Sequence, residues 1–236
     1  MSSNNRTNRF NEISLRNAAL IAGFGYFVMV LVGPFAQFWA YESLVVPGNA
    51  AETAQNVMNN KMLFTAGIFG ILIVFICDVL VAWALYILLK PVNKSVSLLT
   101  AWLRLVYAAI AIVALLNLVT GLRFISPSEY LTVFEPNELY VQFYLSLVAF
   151  EKGWGIGLMI FGIHLGLLGY LIFRSDYIPR ILGILLIISG LGWLIDSLKP
   201  YLFPSFFAEL WMITVWGEVI FTVWLLTRGW KLQQTS

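Results

Sequence analysis

Six apolar runs confine what this 236-residue chain can fold into: Asn17 to Trp39, Met62 to Leu89, Val96 to Gly121, Gly153 to Phe173, Ile181 to Tyr201 and Phe206 to Thr227. Each reaches the ~20 residues an α-helix needs to cross a ~30 Å hydrocarbon core. In lipid the backbone N–H and C=O groups find no water and must pair within the segment, so helices are the expected form. Composition agrees, with 60% hydrophobic and 11% charged residues against ~45–50% and ~25% in soluble domains. A net charge of +2 leaves no basic face for nucleic acid, and the lone Cys77 builds no disulfide framework. The first run is too long for a signal-peptide core and lacks a small-residue cleavage site after it, so it is read as a retained helix. The predicted fold is all-α: a polytopic membrane protein, a six-transmembrane-helix bundle with short extracytoplasmic loop helices. Residues 1–16 are read as a cytoplasmic N-terminal tail, 17–229 as the transmembrane domain and 230–236 as a cytoplasmic C-terminal tail.

Basic residues in short loops favour the cytoplasmic side. With the N-terminus inside, Arg6, Arg9, Arg16, Lys90, Lys94, Arg174, Arg180, Arg228 and Lys231 fall on inner segments, and only Lys61, Arg123, Lys152 and Lys199 on outer ones. Both termini are therefore expected in the cytoplasm and the chain in the plasma (inner) membrane. Acidic residues mirror this: Glu42, Glu52, Glu129, Glu135, Glu138, Glu151 and Glu209 are all outside. Asn49 and Glu52 have capping-box spacing for a short helix over Ala50 to Asn59, and Ser126, Pro127 and Glu129 repeat the signal before Tyr130 to Phe134. A further helix is expected to start at Pro136. From Asn137 to Phe173 it would run roughly 55 Å, so it must project beyond the hydrocarbon or bend at Gly153-x-Gly155-x-Gly157. The glycines favour a bend.

Charges inside spans cost ~2.5–3.5 kcal/mol each on insertion scales, which makes their positions informative. Asp78, Arg104, His164, Asp196 and Glu218 lie within the apolar runs. Counted at 1.5 Å per residue from the inner basic anchors, Asp78, Arg104, His164 and Glu218 sit ~15–18 Å deep, and Asp196 higher at ~24 Å. Each shares a helical stripe with small or hydroxyl residues: Asp78 with Gly67 and Ala82, Arg104 with Ala108 and Ala111, His164 with Gly153 and Gly157, Asp196 with Gly192 and Ser189, Glu218 with Thr214 and Thr222. Such residues mark close helix contacts in membranes. Gln37, Gly33 and Tyr26 share a face of the first span. Asp78 and Arg104 belong to one tight hairpin and are expected to form an ion pair, leaving His164 and Glu218 as a second, proton-handling pair. Alternatively Arg104 bridges Asp78 and Glu218, with His164 neutral and hydrogen-bonded.

The run Ser43-Leu44-Val45-Val46-Pro47-Gly48-Asn49-Ala50-Ala51 resembles the bacterial membrane family called domain of unknown function 4386. So do Cys77-Asp78, the turn Leu88 to Asn93, Arg104, Gly162-x-His164, the stretch Gly169 to Ser175 with Pro179 to Gly183, Ile195-Asp196-Ser197, and Glu218. The resemblance covers most of the chain, from about residue 17 to 229. It implies a six-span inner-membrane protein, carries over no catalytic role, and suggests that the midplane residues belong to a shared internal pattern.

The function expected from these residues is binding or relay of a proton or small polar ligand by Asp78, Arg104, His164 and Glu218, in the manner of a transporter. An accessory or regulatory membrane subunit, with the same residues acting as polar glue, is the alternative, and an intramembrane hydrolase using Glu218 and His164 is the third reading. No cofactor is expected, since one His assembles neither a zinc nor a bis-His haem site. The Gly153-x-Gly155-x-Gly157 run lacks the lysine and strand of a phosphate loop. Trp39, Trp154, Trp211, Trp102 and Trp230 read as interfacial belts, whereas Trp193 and Trp216 are placed to line a cavity. The bilayer is the expected partner, with a homodimer as the assembly that would widen a narrow pathway.

Overall fold

Side-chain caps set the helix starts in the computed structural model, which describes residues 13–126, 133–202 and 209–232. Helix α1 spans Leu15–Pro34, with Ser14 accepting from the Asn17 N–H. Asn49 and Glu52 cap α2 (Ala50–Asn59) as their spacing predicts, the Asn49 side chain accepting from Glu52 N–H at 3.1 Å. Helix α3 is Lys61–Leu89, and α4 is Lys94–Phe124, capped by Asn93. Helix α5 (Pro136–Arg174) opens on Glu135, whose backbone N–H donates to Glu138, with Pro136 in the first turn. Helix α6 is Arg180–Leu202. The second outer capping signal, at Ser126 to Glu129, falls mostly outside the described residues.

Five helical segments are long and apolar enough to cross a membrane: Leu15–Leu44, Lys61–Leu89, Lys94–Phe124, Pro136–Arg174 and Arg180–Leu202. No strand occurs among the described residues. The sixth apolar run differs from a single span. It divides into α7 (Trp211–Thr214) and α8 (Trp216–Arg228). The break is set by a contact with another helix. Ser189 Oγ donates to the Thr214 carbonyl at 2.5 Å, and the Glu218 N–H bonds to Val215 O at 2.9 Å, one residue short of the α-helical register.

The first span carries its own irregularity. Proline at position 34 cannot donate a backbone bond, and the helix continues beyond it as a π-helical stretch, Phe35–Tyr41, then a 3₁₀ turn, Glu42–Leu44. This stretch lies against α3 at two glycines: a Cβ at Gly67 would come 2.9 Å from Ala40 Cβ, and one at Gly70 would come 2.8 Å from Ala36 Cβ. Helix α5 runs unbroken through Gly153, Gly155 and Gly157, so the glycines do not end it. Its N-terminal half packs on α2, Tyr144 accepts from Gly48 N–H at 2.8 Å, and Tyr41 donates to Glu151 at 3.0 Å.

Neighbours in sequence are neighbours in space: α1 packs on α3, α3 on α4, α4 on α5 and α5 on α6, while α8 lies between α6 and α1. The six helices therefore close a ring. Large apolar side chains such as Phe24, Leu31, Phe69, Val113 and Leu116 remain exposed on its outside, as expected of a surface that meets lipid rather than water. The α5–α6 contact is the closest. A Cβ at Gly169 would stand 2.5 Å from Gly183 O and one at Gly183 would stand 2.5 Å from Gly169 O, and the Gly162–Gly190 pair repeats this at 2.7 and 2.6 Å. Backbones that approach so nearly gain dispersion that lipid tails cannot match.

At the end bearing Lys90, Lys94 and Arg180, Tyr177 donates to the Leu88 carbonyl at 2.6 Å, and burial pushes its phenol up to about 12. The unfolded phenol ionises near 10, so the bond contributes fully below that pH and is lost as pH rises through the folded value.

Adding a methyl at Gly169 is expected to lower the thermal unfolding temperature in detergent, because it meets the Gly183 backbone. Gly166, whose Cβ position has nothing within 4 Å, is the control: Gly166→Ala should be neutral or stabilising by up to about 1 kcal/mol. Equal behaviour of the two variants would refute the close contact.

Candidate functional site

Arginine 104 stands inside the ring, fully buried, and its neighbours come from α1, α3 and α5. Its Nη2 lies 2.6 Å from Asp78 Oδ1 of α3, the hairpin partner. Its Nη1 donates to Tyr26 Oη of α1 at 2.8 Å and contacts His164 Nε2 of α5 at 3.1 Å. The guanidinium carbon also sits 4.8 Å from the Tyr26 ring centroid and 5.4 Å from that of Phe161, a cation–π arrangement on two sides. Asp78 and His164 are fully buried as well.

Hydrogen-bond logic fixes the form of His164. Nδ1 faces the Thr100 carbonyl at 2.8 Å and must donate to it, while Nε2 faces a guanidinium that can only donate. The ring is thus neutral, with its proton on Nδ1. Both nitrogens are committed, and Phe161 stacks on the ring at 5.7 Å. Asp78 and Arg104 meet as their hairpin position predicts. The His164–Glu218 pair is not formed: Glu218 Oε1 accepts from Trp193 Nε1 at 2.8 Å. Arg104 bridges Asp78 to Tyr26 and His164 instead of to Glu218. The neutral, hydrogen-bonded His164 is the feature of the alternative arrangement that does occur.

Asp196 stands apart from this knot. Its Oδ2 accepts from the Trp211 N–H at 2.6 Å, capping the start of α7, and its Oδ1 pairs with Lys199 at 3.0 Å. It thereby anchors one wall of a cleft at the end of the ring that carries α2. The cleft has two adjoining lobes of about 260 and 360 Å³ that share Glu151, Gly155, Leu158, Trp193, Glu209 and Trp211. Trp193 and Trp211 stack at 5.2 Å with 16° between their planes, and Phe38 stacks on Trp211 at 6.2 Å.

An aromatic column joins cleft and knot. Trp211 touches Trp193, Trp193 meets Phe161 edge-on at 6.1 Å, and Phe161 covers Arg104. Trp193 is the pivot, because its ring faces the cleft while its N–H holds Glu218 behind it. The sequence places Trp193 near a cavity, and it lines one. Trp216 does not: it is largely exposed on the outside of the ring. Phe161 and the Thr100 carbonyl were not singled out, since an apolar ring and a backbone oxygen carry no mark in a run of similar residues. Among the described residues no group of three or more His, Cys, Asp and Glu side chains is placed to hold a metal ion.

Removing one member of a buried ion pair leaves the other charge uncompensated, at a cost of about 3–5 kcal/mol. Arg104→Met and Asp78→Leu should each destabilise the protein by that order in detergent unfolding, and the double substitution should recover most of the loss. An additive double variant would show that the two side chains act independently.

The model of the family described as Domain of unknown function (DUF4386) matches residues 21–229. A relative from Archaeoglobus fulgidus, described as an uncharacterized protein, is 38% identical over 167 residues, covering 71% of this chain and 86% of the relative. No solved structure matches. A match that runs from within α1 to the end of α8, and takes in the whole Arg104 knot and both walls of the cleft, makes this chain a member of the DUF4386 family.

Proposed function

We propose that the protein resides in the plasma membrane with both termini in the cytoplasm and binds a small polar ligand in the cleft, in a transport-like role. Glu218 supplies the titratable group behind it. The observation that carries this reading is the position of Glu218: in the first turn of α8, immediately after the break in the sixth apolar run, and one hydrogen bond from a cleft-lining ring. Interrupted helices at mid-depth are the usual frame of ligand sites in transporters, because the break frees backbone groups and turns a helix end toward the ligand.

Asp78, Arg104 and His164 have a different part in this proposal. Their bonds are spent on one another, on Tyr26 and on Thr100, so they fix the helices that form the cleft wall. The complete burial of Arg104, Asp78 and His164 also favours a second reading, an accessory subunit in which the whole polar set holds helices together. Glu218 separates the two.

Indole emission responds to the charge of a hydrogen-bonded carboxyl, so Trp193 reports on Glu218. Intrinsic fluorescence of the protein in lipid nanodiscs, titrated between about pH 4 and 9, should show a transition that Glu218→Gln removes. No difference between the two proteins would leave Glu218 sealed and support the accessory reading. Orientation is tested on intact cells with Gly155→Cys in a Cys77→Ser background. An impermeant maleimide should label it from outside, and labelling only after permeabilisation would overturn the assigned topology.

A further inference from the structure

The cleft has a chemistry of its own, and we infer that its ligand is an organic monocation: an amine or quaternary ammonium group on an apolar body. This rests on the cleft being a ligand site and adds the class of ligand. Two observations point the same way. The larger lobe is lined by three indoles, Trp154, Trp193 and Trp211, the last two held in place by mutual stacking at 5.2 Å and Trp193 also by the bond to Glu218. Indole is the strongest cation–π partner among side chains. The mouth is acidic: Glu42, Glu151 and Glu209 line it, Lys199 is paired with Asp196 at 3.0 Å, and Lys152 is the other ammonium present. Carboxylates around an aromatic floor raise the local concentration of cations and disfavour anions. At about 360 Å³ the larger lobe falls in the range of small-ligand sites.

Position 155 provides a clean test. A Cβ there has nothing within 4 Å, although the residue lines both lobes. A longer side chain at this helical site therefore fills the cleft without disturbing the packing, and replacing glycine favours the helix. Full-length protein in nanodiscs is titrated with benzyltrimethylammonium, benzyl alcohol and phenylacetate, reading tryptophan fluorescence. The cation should bind saturably and roughly tenfold or more tightly than either of the others, and Glu209→Gln should weaken it severalfold. Gly155→Leu should abolish its binding while keeping the unfolding temperature. If benzyl alcohol or phenylacetate binds as well as the cation and is lost in Gly155→Leu, the cleft remains a site and the cation assignment falls. If no probe binds, or Gly155→Leu changes nothing, both fall.

Discussion

The architecture depends on a guanidinium that has been taken entirely out of water. Such a charge is tolerable when its terminal donors and its faces are engaged, and Arg104 achieves this with groups from three other helices: Tyr26 of α1, Asp78 of α3, and His164 with Phe161 of α5. The demand is geometric as well as energetic. A shift of one helix by a single turn, about 5.4 Å, would strip the ion of a partner. Lipid exerts no hydrophobic pressure between helices, so this ion supplies the register that burial supplies in soluble proteins. The glycine contacts of α5 with α6, and of α1 with α3, then bring the backbones as close as the register permits.

The knot and the cleft are distinct devices in one ring. In the knot Arg104, Asp78, Tyr26 and His164 answer one another, with only Arg104 Nε and the second Asp78 oxygen lacking a hydrogen-bond partner among the described residues, which suits it to holding shape. The cleft opens to the outside of the bundle and is lined by indoles and carboxylates around an open space, which suits it to recognition. Trp193 belongs to both, through Glu218 on one side and Phe161 on the other. The broken sixth run matters here because it ends the rigid ladder at Thr214 and restarts it beside Glu218.

Much of this was legible in the sequence, for physical reasons that differ by element. Five of the six spans follow from apolar length, and Asn49 and Pro136 mark their helix starts accurately because capping is a local interaction. Small residues beside Asp78, Arg104 and His164 reveal inward faces, since only a close helix contact selects them. Pairing was harder to read. Whether His164 meets Glu218 or Arg104 depends on rotations of α5 and α8 that no local signal fixes. The division at Val215 was hidden for the same reason: it arises from Ser189, on another helix, competing for the Thr214 carbonyl. The cleft escaped notice as a site because its aromatics, Trp154 and Trp211, have the spacing of an interfacial belt.

Helix α5 has a mechanical consequence. It continues for about 58 Å without a break, from the acidic rim beneath α2, along the cleft, through His164, to Arg174 at the opposite end. A hydrogen-bonded helix is stiff along its axis, so the end beneath α2, the imidazole that Arg104 grips and the basic loop beyond are spaced by one continuous element rather than by a chain of separate contacts.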